Sequence, residues 1–181
     1  MNLPKRKPTR LINYDYGSDG AYFITICTHK KQNILCDIVG EGLCALPIIK
    51  LTPIGEAVKE SIKYIARNYD NISVDKFVIM PNHIHLLISN QTGGHGDPPL
   101  QVYDIIGNFK SFTTHRYGKI LWQRSFHDHI IRNEGDYLKI WNTSIPTRKS
   151  GVRIAFLRNE AAIDIKNAGR IWLSCIFGVK Y

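Results

Sequence analysis

Two apolar runs of strand length meet across one turn near the middle of the chain, and this pairing restricts the fold more than any other feature. Ser73 to Met80 (SVDKFVIM) and His83 to Ser89 (HIHLLIS) are rich in β-branched and large apolar residues, and Pro81-Asn82 between them supplies turn chemistry. Ala21 to Thr28 (AYFITICT) reads as a further strand, and so does Ile120 to Arg132 (ILWQRSFHDHIIR). Asn33 to Ile49 mixes Gly, Pro and apolar residues without a clear period, which leaves room for a short strand or hairpin.

Helices fit between these runs. Thr52 can cap and Pro53 suits a first helical position, after which Ile54, Val58, Ile62 and Ile65 form one apolar stripe with Lys59, Lys63 and Arg67 off it. Leu100 to Tyr117 predicts a second helix with Tyr103, Ile106, Phe109 and Thr113 on one side and Gly118 as its stop. Glu134 to Trp141 begins a third, which runs into Pro146. The order β-β-α-β-β-α-β-α predicts an α+β fold, an RRM-like or ferredoxin-like antiparallel sheet with helices packed on it. Length allows one such domain in 181 residues, with a basic arm over 1–11, a body over 12–141 and a tail over 142–181.

The chain carries 24 Lys and Arg against 15 Asp and Glu, a net +9, which favours a polyanionic partner, nucleic acid ahead of an anionic membrane surface. No apolar core of a leader lies within Met1 to Leu11, and runs such as Ile171 to Val179 are too short to span a bilayer. Cys27, Cys36, Cys44 and Cys175 form no Cys-x-x-Cys pair, which argues against a zinc knuckle. A cytoplasmic protein with reduced thiols and no membrane partner is expected.

Side chains two apart on a strand share a face, so His83 and His85 point together while Ile84 points away. Two imidazoles so placed can chelate one cation and leave positions for phosphate oxygens; two polar residues on an exposed strand face are the plain alternative. Nearby cations and aromatics suit a single strand, because aromatic faces stack on unpaired bases while Lys and Arg hold phosphates. The candidates are Lys5, Arg6, Lys7 and Arg10 in the arm, Lys110 and Arg116 on the second helix, and Trp122 and Arg124 beyond it. Trp122 and Phe126 fit a core strand face equally well. His127-Asp128-His129 repeats the spacing, but a structural hydrogen-bonding role is favoured there over a second metal.

The run Val74 to His85 (VDKFVIMPNHIH) resembles bacterial single-tyrosine HUH transposases, nearest the REP-associated tyrosine transposase branch. Phe109-Lys110-Ser111-Phe112 and Leu121 to Arg132 (LWQRSFHDHIIR) resemble the same branch, and the likeness spans about residues 10–141. It implies an RRM-like sheet on which His83 and His85 hold Mg²⁺ or Mn²⁺ against a scissile phosphate. A tyrosine on a later helix would attack phosphorus to give a 5′-phosphotyrosine link and release a 3′-hydroxyl. The implied partner is single-stranded or hairpin DNA, handled by a homodimer. A nucleic-acid-binding module without catalysis is the competing reading. A metallo-β-lactamase-like hydrolase is disfavoured, since Leu86 to Asn90 lacks the further ligands of His-x-His-x-Asp-His.

The chain departs from this family at the nucleophile. The family pattern runs approximately Tyr-Leu-x-Ile-Trp-Glu-Tyr-Ile-Asp-Thr-Asn-Pro-x-Lys-Trp, with the tyrosine of Tyr-Ile attacking and the Asn available as third metal ligand. Here the pattern holds through Trp141 and is followed by Asn142-Thr143-Ser144-Ile145-Pro146-Thr147-Arg148-Lys149-Ser150. Codons built from the last base of each codon and the first two of the next give Glu after Trp141, then permit Tyr, Ile, Asp, Thr, Asn, Pro, Gln, Lys and Trp in order. A one-base deletion near codon 141, with 142–181 out of frame, is therefore expected. Tyr137 is the nearest surviving tyrosine and the fallback nucleophile.

Overall fold

Strand pairing around the Pro81-Asn82 turn organises the molecule. The computed structural model describes Tyr14, residues 18–39, 48–91 and 101–142, and the backbone of three two-residue strands in the tail. In order these contain β1 (Gly20–Cys27), a one-turn 3-10 helix (His29–Lys31), β2 (Cys36–Val39), β3 (Ile48–Leu51), α1 (Pro53–Asn68), β4 (Ile72–Met80) and β5 (His83–Asn90). They continue with α2 (Val102–Tyr117), β6 (His127–Ile131), α3 (Glu134–Asn142), β7 (Ile145–Pro146), β8 (Arg153–Ile154) and β9 (Leu157–Arg158).

The main sheet runs β6-β1-β5-β4-β9, with every neighbour antiparallel. Its β1, β4, β5 and β6 with α1 and α2 make the expected α+β core, and β2 and β3 form a separate hairpin inserted before α1. Alternation sorts the side chains into two faces. Tyr22, Ile24, Ile26, Ile84, Leu86 and Ile88 turn to one face and join Val58, Ile62, Ile65, Ile105, Ile106 and Phe109 of α1 and α2 in the main core. The opposite face carries Ala21, Phe23 and Leu87 under α3, and Val78 and Met80 under Ile38 and Ile49 of the hairpin.

Local chemistry sets the helix ends. Thr52 accepts from Gly55 N–H at 3.1 Å with Pro53 at the first turn, and Gly118 ends α2 at φ 74°. Gly55 also lets α1 lie against the backbone of Leu35, where an added Cβ would sit 1.9 Å from the carbonyl oxygen. The strand expected over 120–132 is shorter: only His127–Ile131 pairs with β1, beyond an isolated bridge from Trp122 to Thr28. Leu121 and Trp122 instead turn into the core, and the Trp122 indole donates to Thr113 Oγ1 at 2.7 Å, which draws the segment over α2.

Candidate functional site

β1 and β5 pair so that Cys27 faces His83 and Thr25 faces His85 across the ladder. Both histidines therefore project from the sheet face opposite α1 and α2, between the patch under α3 and the patch under the hairpin. Their ring centroids lie 4.8 Å apart at 83°. Nδ1 of His83 donates to Oδ1 of Asn82 at 2.7 Å, and Nδ1 of His85 lies 2.8 Å from Thr25 Oγ1. Phe23 stacks on His85 with centroids 5.1 Å apart, which fixes that ring from the α3 side.

With each Nδ1 engaged, each Nε2 is left for another partner, the arrangement seen when a second group orients a ligating histidine. Burial, and after it the nearby Lys31 ammonium, holds His83 below its ordinary pKa. Burial and then His83 push His85 down to about 4. Both rings are accordingly neutral near pH 7, as metal ligation requires. His83 and His85 are the two residues here that would hold a divalent cation; no cluster of three His, Cys, Asp or Glu ligands occurs among the described residues. A third donor would come from a side chain of another type, from DNA or from water.

The turn beside the pair is unusual. Lys30 and Lys31 follow each other at φ 54° and 55°, a left-handed conformation that costs about 1–2 kcal/mol for each non-glycine residue. Thr28 binds this turn to the start of β5, since its N–H donates to the Asn82 carbonyl at 2.9 Å and its hydroxyl oxygen lies 3.0 Å from the same carbonyl.

Tyr137 shares the sheet face of the histidines but not their position. Its ring is buried and its hydroxyl donates to Asp75 Oδ2 at 3.0 Å, beside Ser89 at the far end of β5. Ser89 is four residues from His85, roughly 13 Å along a strand. Burial, and after it the Asp75 carboxylate, raises the phenol pKa far above its ordinary value. The fallback nucleophile is thus a packed, hydrogen-bonded anchor for α3. A β-bulge between Val74 and Lys76 makes this possible. Asp75 reaches Tyr137, while Lys76 donates to the Trp141 carbonyl at 2.7 Å and lies 3.9 Å from the Trp141 ring centroid.

The other sequence candidates scatter. Trp122 is 4% exposed with its N–H satisfied, so the core alternative holds and base stacking is excluded. Lys110 spends its ammonium on the Arg124 carbonyl at 2.8 Å, and Arg116 lies on α2, in the layer behind the sheet. Arg124 is exposed, near the end of the sheet that holds the pair, because the neighbouring Gln123 N–H donates to the Cys27 carbonyl. Lys5, Arg6, Lys7 and Arg10 lie outside the described residues. In the second His-x-His, His129 pairs with Asp136 of α3 at 2.9 Å and Asp128 accepts from Tyr103 at 2.8 Å, structural roles in both cases. Sequence reasoning missed Thr25, Asn82 and Phe23. Asn82 adjoins the motif, but Thr25 and Phe23 emerge only from the strand register.

An antiparallel sheet backed by two helices, with His83 and His85 turned out on its other face, defines an α+β domain of the sheet-and-helix class. A family model described as "Transposase IS200 like" matches residues 47–134. A Haemophilus influenzae protein described as uncharacterized is 32% identical over 157 residues, covering 75% of this chain and 84% of that protein. The solved structure of a REP-associated tyrosine transposase bound to a REP hairpin is 22% identical, with a TM-score of 0.49, covering 77% of this chain and 68% of that one. The chain belongs to the IS200-like transposase family, whose members work in DNA binding and transposition. No helix among the described residues is long and apolar enough to cross a membrane.

Proposed function

We propose that this chain binds single-stranded or hairpin DNA with a phosphate held over His83 and His85, and that it has kept the metal-binding half of a strand-transfer site while losing the covalent half. The carrying observation is that His83 and His85 share one sheet face with ring centroids 4.8 Å apart, the Nδ1 of His83 held by Asn82 and that of His85 beside Thr25 Oγ1. Bound there, Mg²⁺ or Mn²⁺ would supply Lewis-acid polarisation of the phosphate. His83 and His85 orient the phosphate, and Phe23 and Thr25 keep the His85 ring in place.

The attacking group is what the chain lacks. Thr143 stands where the family pattern places its tyrosine, and the Tyr137 hydroxyl is committed to Asp75. Residues 142–181 are the product of a one-base deletion near codon 141 on this reading. The tail carries seven Lys and Arg against two acids, and neither the family pattern's tyrosine nor its Asn partner stands at its expected position.

Trapping a covalent adduct on a hairpin oligonucleotide tests both halves. The native chain is expected to bind Mn²⁺ and DNA and to form no adduct. Restoring one base after codon 141 is expected to yield an adduct that requires Mg²⁺ or Mn²⁺ and disappears in His83→Ala. An adduct from the native chain, or Mn²⁺ affinity unchanged in His83→Ala, overturns the proposal.

A further inference from the structure

The 3-10 turn after β1 sets two cations in a costly backbone conformation next to the histidine pair, and no role assigned so far uses them. Lys30 and Lys31 are exposed, and neither ammonium has a hydrogen bond or ion pair among the described residues. Their backbone is nevertheless well held. Lys31 N–H donates to the Thr28 carbonyl at 3.0 Å, and the Thr28 hydroxyl donates to the Gln32 carbonyl at 2.8 Å. On either side, Thr28 donates to Asn82, while Ile34 and Leu35 N–H both donate to the Pro81 carbonyl, at 2.9 and 3.0 Å. The turn is thus fastened to the two residues that lead directly into His83.

Glycine would adopt both left-handed positions without strain. Two lysines occupy them instead, at a place where the surrounding hydrogen bonds dictate the conformation, and such strain concentrates at working sites. We infer that Lys30 and Lys31 form a phosphate clamp for single-stranded DNA, gripping the backbone phosphates that flank the one held at His83 and His85. Lys31 stands close enough to His83 for its charge to bear on that ring. Flexible ammonium groups suit this task, because a lysine acts on phosphate as a point charge and tolerates variation in the strand's path. The inference rests on the DNA-binding reading above and adds the residues that would hold the strand on each side of its centre.

Substitution by glycine separates the charge from the backbone. Lys30→Gly and Lys31→Gly suit the left-handed conformation, so melting temperature should stay level or rise. Binding of a fluorescent single-stranded oligonucleotide, measured in EDTA across a salt series, should weaken about fivefold at low salt for each cation removed. The slope of log K against log salt should flatten by about 0.7 per lost contact. Lys31→Arg should keep the native slope, and Lys63→Ala on α1, behind the sheet, should leave affinity unchanged. Native affinity and slope in the double glycine variant overturn the clamp while leaving the DNA reading intact. A native chain with no salt-dependent oligonucleotide binding overturns both.

Discussion

A histidine ligates a cation when its ring is neutral and its free nitrogen is aimed, and under the proposed function different neighbours would meet the two needs at His83 and His85. Burial keeps both rings neutral; Asn82 and Thr25 aim them. Thr25→Val keeps a β-branched residue of similar shape on the strand and removes only the hydroxyl. Its Mn²⁺ affinity, read by electron paramagnetic resonance, should fall about tenfold or more, while far-ultraviolet circular dichroism stays native. The histidine pair was legible because period-two alternation is a local rule. Thr25 was not, since its link to His85 crosses 60 residues and depends on a register that only the assembled sheet defines. Trp122 shows the opposite failure. An aromatic beside an arginine suits a nucleic-acid surface and a core equally, and the choice fell to a distant hydroxyl, that of Thr113, able to satisfy the buried indole.

Helix starts and stops were readable at the scale of elements because caps are chemistry of neighbouring residues, as Thr52, Pro53 and Gly118 show. The bulge at Asp75 had no such local mark. It arises where β4 must serve two layers, with Val74 in the main core and Lys76 against Trp141 of α3. Close approach at Gly55 was equally hidden, being a contact between α1 and a backbone 20 residues earlier. Gly55→Ala should destabilise the protein by about 3 kcal/mol, at the upper end of overpacking costs, because the opposing atom is a carbonyl oxygen that cannot swing aside. Urea denaturation checks this; a midpoint within error of the native protein would show that α1 moves freely away from Leu35.

At the scale of the molecule, the sheet face that carries the histidine pair also buries apolar patches under α3 and the hairpin, so stability and the pair are linked through the imidazoles. His85 has its pKa lowered to about 4 in the folded state, against an ordinary 6.5. Its contribution is complete above pH 6.5 and lost progressively as pH falls to 4, because the unfolded chain takes the proton first. The loss amounts to at most about 3 kcal/mol. Asp75, whose pKa is raised by burial, acts in the opposite sense, so the comparison must be with a variant that retains it. His85→Gln in EDTA should show a flatter fall in stability between pH 6.5 and 4 than the native protein, by denaturant melts at each pH. Parallel curves would refute a buried neutral imidazole.

The fastening of α3 by Asp75 and Lys76 has one more effect. It turns the end of that helix into a mooring on the sheet. Because Lys76 grips Trp141 by both its carbonyl and its ring, the last turn of α3 is held at two points rather than left to fray.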